Sequence, residues 1–228
     1  MGTQPYYYGG KRIPSVTTIQ GRFKNSGGLI NWAYNTGIDH GGMSTDERPN
    51  GLYDTTKEAL SIGTLAHRMV ELYISNNDVS LAIKELTPSE TEEVSARLAF
   101  ENFLNWWDSQ GFEVIQQEFP MTCELYGGTP DAIAINKKGR YVILDWKTSK
   151  AIYGDYLVQC AAYAHLWNQR LFIDQIDQTI STVHICRFSK TSADFEHRSF
   201  TNIEKEIDYF LQLAKLYQLD KEISKRCK

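Results

Sequence analysis

Two aspartates and a lysine carry the densest chemistry in this chain. Asp131 ends Gly127-Gly128-Thr129-Pro130-Asp131, and fourteen positions later comes Asp145-Trp146-Lys147. Alternate side chains of a strand share a face, so Asp145 and Lys147 point the same way as Tyr141 and Ile143, while Val142, Leu144 and Trp146 take the other face. A hairpin through Lys137-Lys138-Gly139-Arg140 would lay Asp131 beside Asp145. Two adjacent carboxylates repel unless a cation lies between them. Such oxygen ligands suit Mg²⁺ or Mn²⁺, which bind through few carboxylates, waters and a substrate phosphate. A lysine one strand step away offers a positive donor to a water or to charge developing on phosphorus. Together these parts describe metal-assisted phosphodiester hydrolysis. A D-x-K triplet alone occurs by chance in many proteins. The weight here comes from an acid at the end of a continuous apolar strand, where a buried charge needs a partner, and from a second acid behind a Gly-Gly-Thr-Pro turn.

These residues must be held by the elements around them. Thr129–Asn136 and Tyr141–Trp146 read as strands joined by the Lys137–Arg140 turn, with a further strand over Phe112–Pro120. Thr55–Ser75 reads as a helix in which Leu60, Thr64, His67 and Glu71 share one face and Leu65, Met69 and Leu72 can pack. Thr87-Pro88-Ser89-Glu90 reads as the start of a second helix, with Thr87 as its cap. Val94, Leu98, Phe103 and Trp107 continue that helix, and Gly111 stops it. Asp155–Leu171 is a third helix, Thr179–Phe188 a strand that Asp194–Phe200 can pair with, and Ile203–Tyr217 an amphipathic helix. Short helical pieces are expected over Ser15–Ile19 and Leu29–Ala33, with a loop-like stretch from Gly37 to Gly51. Helices flanking a few strands predict an α/β fold with a central mixed sheet.

Composition narrows the partners. The 228 residues carry 24 Lys and Arg against 28 Asp and Glu, a formal charge of −4, which excludes a uniformly basic coat but not a local basic patch. No apolar run approaches the ~18 residues of a membrane span. The four cysteines form no C-x-x-C pair and read as reduced thiols. The start has no secretory or transit character, so a bacterial or phage-infected cytoplasm is the expected location.

Asp131, Asp145-Trp146-Lys147-Thr148-Ser149-Lys150 and the downstream Gln159-x-x-x-Tyr163 resemble the PD-(D/E)XK nuclease superfamily, and within it the RecB-like exonuclease branch. His67, in Gly63-Thr64-Leu65-Ala66-His67, matches that branch's upstream histidine. Pro14-Ser15-Val16-Thr17 and Trp32 resemble the opening of mitochondrial genome maintenance exonucleases and related phage nucleases. The resemblance runs from Pro14 to about Tyr163, and the order H…D…D-x-K…Q-x-x-x-Y is far more specific than any piece of it. It implies a restriction-endonuclease-like core, with 1–55 as a DNA-contacting segment, 56–200 as nuclease core and 201–228 as a C-terminal helix of one domain. It implies His67, Asp131, Asp145 and the Trp146 carbonyl as ligands of one or two Mg²⁺ or Mn²⁺ ions, and Lys147 as catalytic lysine. Gln159 and Tyr163, one helical turn apart, would position the site or the DNA backbone. The activity implied is exonuclease action on DNA, single-stranded by preference, leaving 5′-phosphates. The branch's iron–sulfur members place a cysteine before the histidine; this chain has none there, so no cluster is expected. Helicase motifs are absent, so unwinding would fall to a partner such as a helicase, with single-strand-binding or recombinase proteins as further partners.

Other side chains have two readings each. Glu71 could orient His67, bridge metals or be a solvated helix acid, and Glu118 could face the metals or solvent. Ser15, Thr17, Thr148, Ser149 and Lys150 suit phosphate oxygens, although hydroxyls also cap helices and close turns. Lys11, Arg12, Arg22 and Lys24 could form a local basic surface, and Tyr6-Tyr7-Tyr8 and Trp32 could stack on unpaired bases. His165 and His184 read as structural. A duplex exonuclease, a structure-specific endonuclease and a non-catalytic DNA-binding subunit are the competing readings.

Overall fold

The computed structural model describes residues 5–24, 51–171, 177–189 and 194–227, with side chains 51–60 excepted. Trp32, the Leu29–Ala33 piece and residues 37–50 of the loop-like stretch lie outside the described residues.

The chain opens with a hairpin, β1 (Tyr6–Tyr8) and β2 (Lys11–Ile13), turned by Gly9 and Gly10 with φ of 54° and 76°. Positive φ at both turn positions suits glycine. Helix α1 (Val16–Phe23) follows, its first turn capped by Ser15, whose hydroxyl accepts from the Thr18 amide. Next come α2 (Gly51–Ile74), α3 (Ser80–Leu86) and α4 (Glu90–Gln110), which Gly111 ends in the left-handed region. Strands β3 (Glu113–Gln117), β4 (Met121–Thr122), β5 (Gly127–Gly128), β6 (Ala132–Ile135) and β7 (Tyr141–Lys147) precede α5 (Gly154–Asn168). β8 (Thr182–Phe188), β9 (Phe195–Thr201) and α6 (Glu204–Arg226) complete the chain.

Five strands form the central sheet in the order β3-β6-β7-β8-β9. β7 and β8 run parallel, as a helical crossover through α5 permits, and the other pairs are antiparallel. This is the mixed α/β core expected. β7 shows why the alternation in its sequence matters. Ile143 packs with α1, α5 and α6 on one face through Ile19, Ala161, Leu166 and Phe210, while Val142, Leu144 and Trp146 pack with α2 and α4 on the other. That second face is aromatic: Phe103 lies within about 6 Å of the rings of Trp107, Trp146 and Phe188.

Several local expectations change. The cap of α4 is Ser89, not Thr87: Ser89 and Glu92 exchange the two bonds of a capping box. Thr87 instead ends α3 in the left-handed region, its amide donating to the Ile83 carbonyl. Two overlapping S/T-x-x-E frames were present, and the need to stop α3 decides between them. Gly127-Gly128, read as part of a turn, is instead a short strand that pairs with Met121-Thr122 in a separate small sheet, and it meets Ser15 through a bridge. The last helix runs past Tyr217 to Arg226.

Candidate active site

The β6–β7 hairpin sets the first two acids. Ala132 pairs with Leu144, which places Asp131 at the end of β6 facing the Asp145–Trp146 step of β7. The Asp131 carboxylate accepts from the Trp146 amide at 2.6 Å through Oδ2 and lies 3.9 Å from His67 Nδ1 through Oδ1. His67 reaches it from the middle of α2, where Leu65 and Met69 on the opposite side anchor the helix to the sheet. Lys147 folds back along its own strand, with Nζ 2.8 Å from Oδ1 and 2.7 Å from Oδ2 of Asp145. The Tyr156 ring lies 5.1 Å from the same nitrogen.

The electrostatics follow from crowding. Burial pushes the Asp145 and Asp131 carboxyls up, against the pull of Lys147. Burial by itself would lower the Lys147 ammonium, but Asp145 and Asp131 outweigh it and hold it above the ordinary lysine value. Glu118 sits just past β3, its amide donating to the Asp131 carbonyl, in a left-handed backbone with φ of 44° that costs a non-glycine residue strain. Its carboxyl is pushed up to about 8, first by loss of water around it and then by Asp131, Glu71 and Asp145, even though the residue as a whole is exposed. Glu71 pairs with Arg68 at 2.8 Å.

Asp131, Asp145 and Glu71 each act on the Glu118 carboxyl, and His67 lies 3.9 Å from Asp131. Among the described residues, no group of three or more His, Cys, Asp or Glu side chains is drawn together tightly enough to hold an ion by itself. The donor set still fits a hard divalent ion, since its oxygens repel one another in the absence of a cation and such ions complete their shell with waters and substrate phosphate. Lys147 meanwhile occupies the position of countercharge to Asp145.

From the other side, α5 presents Gln159 and Tyr163, whose amide and phenol bond at 2.9 Å. Tyr163 lies against Gly128, where a Cβ would meet its ring at 2.5 Å, so glycine is required for this close approach. Tyr163 is 5% exposed, and both Asp145 and Asp131 raise its hydroxyl, after burial.

Not every candidate gathers here. Ser15 is spent on the α1 cap and bonds the Thr17 and Thr18 hydroxyls. Ser149 donates to the Ala151 carbonyl and closes a turn. Thr148 follows directly on β7 beside Lys147, and Lys150 is exposed. Arg22 and Lys24 are tied to Asp220 and Asp155, which removes half of the expected basic surface. Two residues were missed. Tyr156 shares the α5 face of Gln159, Cys160 and Tyr163, and the spacing of three, four and seven positions carried that signal. Arg187, 4% exposed and paired with Lys147 in the β7–β8 register, bonds Asp194 at 2.7 Å and the Ser149 carbonyl at 3.4 Å; a lone arginine inside an apolar strand was its signal.

A mixed sheet with an acid hairpin, a lysine two residues on and a supporting helix defines a nuclease-type core, and the family match agrees. The PD-(D/E)XK nuclease superfamily model covers residues 42–224, and this chain belongs to that superfamily of enzymes. Among solved structures it is similar to a protein of Eubacterium rectale, 14% identical over 70% of this chain with a TM-score of 0.46, and it spans 65% of that protein's length. It is also similar to the alkaline exonuclease of Laribacter hongkongensis, 12% identical over 74% of this chain and 98% of the other, with a TM-score of 0.34. The complex of LHK-Exo with dAMP gives 13% identity, 73% and 96% coverage and a TM-score of 0.36. No curated protein matches the chain. No described helix is long and apolar enough to cross a membrane.

Proposed function

We propose that this enzyme is a Mg²⁺- or Mn²⁺-dependent DNA exonuclease that prefers single strands with free ends and leaves 5′-phosphates, in replication, recombination or repair. The observation that carries the reading is the meeting of Asp131, Asp145 and Lys147 at the end of one hairpin, with His67 facing Asp131 across the helix–sheet boundary. A divalent ion bound there would neutralise the scissile phosphate and make water more acidic. Asp131, Asp145 and His67 would hold it, with the Trp146 carbonyl as a further ligand and Glu118 and Glu71 beside them.

The protein's own groups do the rest. The Trp146 amide fixes the Asp131 carboxylate in one orientation. Lys147, with Nζ 2.7 Å from Asp145, would help activate the attacking water or steady charge on the non-bridging oxygens. Attack in line breaks the bond to the 3′-oxygen and leaves phosphate on the 5′ side. Gln159 and Tyr163, bonded to each other, hold the α5 side of the site, and Thr148, Ser149 and Lys150 follow Lys147 where the strand backbone would pass.

The test is digestion of an end-labelled linear single strand with Mg²⁺ or Mn²⁺, beside its annealed duplex, a circular single strand and the Lys147→Ala enzyme. Metal-dependent loss of the linear strand, absent with Lys147→Ala and spared by circularisation, is expected. Cutting of the circle would make it an endonuclease, preference for the annealed strand a duplex enzyme, and binding without cutting a DNA-binding subunit.

A further inference from the structure

A groove of about 1210 Å³ lies between the β1–β2 hairpin, the start of α1 and the last turns of α6. Its banks carry a positive excess: Lys11 and Arg12 on the hairpin and Lys221 and Lys225 on α6, against the acids Glu124 and Glu222. All four cations are exposed, and none pairs with a carboxylate among the described residues, in a chain whose overall charge is −4. Arg22 and Lys24, by contrast, are neutralised by Asp220 and Asp155. The groove also carries aromatic faces. Tyr8 is 48% exposed, and Tyr217 has Lys221 Nζ 5.3 Å above its ring. From Tyr217 to Lys225 the helix runs about 12 Å, long enough for more than one phosphate.

One lining residue touches the segment that leads to Asp131. Tyr6 lines the groove, stacks on Gly127 and bonds Thr129 Oγ1 at 2.7 Å, two residues before Asp131. Ser15 lines it too and bridges Gly127. Unpaired cations flanking aromatic rings are the ingredients of a single-strand path: phosphates follow the charge, and bases stack in any sequence.

We infer that this groove holds the single-stranded DNA that extends from the active site, with Lys11, Arg12, Lys221 and Lys225 on its phosphates and Tyr8 against its bases. The assignment rests on the nuclease reading and adds to it a binding surface built by the C-terminal helix.

The experiment measures fluorescence anisotropy of a labelled thymidine 20-mer with the full chain in EDTA, where nothing is cut. Lys221→Glu with Lys225→Glu should weaken binding at least about tenfold and reduce the salt slope by roughly 1.4, since each single-strand phosphate contact contributes about 0.7. Tyr8→Ala should weaken it about fivefold or more. Lys205→Glu with Lys215→Glu, the same charge change on α6 outside the groove, should stay within about twofold of wild type. Equal loss in both double variants, no loss in either, no binding by wild type, or equal displacement of the oligonucleotide by polyglutamate overturns the assignment; the last would give the groove to an acidic protein. Metal-dependent cleavage of the same strand by wild type is read separately. Cleavage with unchanged groove-variant binding sinks the groove alone, and groove-dependent binding without cleavage sinks the hydrolytic reading alone.

Discussion

The two faces of β7 are made by neighbouring residues of one strand and do opposite things. Asp145 and Lys147 look toward α5 into a polar, crowded pocket, whereas Leu144 and Trp146 look toward α4 into a dry aromatic cluster with Phe103, Trp106 and Phe188. The charged face carries mutual repulsion, which only a rigid support can sustain. The aromatic face supplies that support: T-shaped and stacked rings around Phe103 fix the strand from behind. Charge and apolar packing are thereby separated to within one residue along the chain, which makes the division open to direct attack.

The hardest blow to the aromatic face is Phe103→Ala. Phe103 is fully buried, so urea denaturation should show a loss of about 3–5 kcal/mol, while turnover per folded molecule stays near wild type. A proportional fall in turnover would mean the two faces are not separate. The converse is Lys147→Ala, where metal-dependent cleavage should fall by roughly 100- to 1000-fold in a single-turnover assay. Unchanged cleavage would remove Lys147 from the mechanism.

A third test uses acid. His184 lies opposite Leu144 in the register, on the aromatic side against Phe112, with its Nδ1 2.9 Å from His197 Nε2. Burial first, and then His197, push the His184 imidazole down to about 4. Its folded value lies below the unfolded one near 6.5, so the unfolded state binds the proton more readily. Stability should be full above about pH 6.5 and drain as pH falls toward 4, by up to about 3 kcal/mol from this group. His184→Phe should flatten that part of a melting-temperature profile; an unchanged slope would assign the acid sensitivity elsewhere. The smallest effect concerns the helix behind the cluster. Ser89→Ala should cost about 1 kcal/mol in urea with activity intact, and Thr87→Ala should not reproduce the loss of a cap.

Much of the site was legible because it is local. The alternation of Tyr141–Lys147 by itself separates Asp145 and Lys147 from Leu144 and Trp146, and the short turn before it obliges Asp131 to lie alongside. Gln159 and Tyr163 share a helix face by spacing, and Tyr156 was readable by the same rule. Glu71 was less legible, because Arg68 three residues earlier competes for it and the winner depends on where Glu85 brings a second acid. The cap of α4 was ambiguous for a similar reason: Thr87 and Ser89 both satisfy the pattern, and the end of α3 settles it.

By itself, then, the sequence determined which residues share a strand face or a helix face, where α4 stops, and that two acids and a lysine end one hairpin, since these depend on backbone periodicity and on the conformations glycine allows. Tertiary structure alone decided what comes from afar: the approach of His67 to Asp131, the burial of Arg187 beside Lys147, the detachment of Gly127-Gly128 into a second sheet, and the pairing of Arg22 with Asp220 across the fold. Those contacts join residues tens to hundreds of positions apart. Their cost is set by packing and desolvation around both partners, which no local pattern encodes.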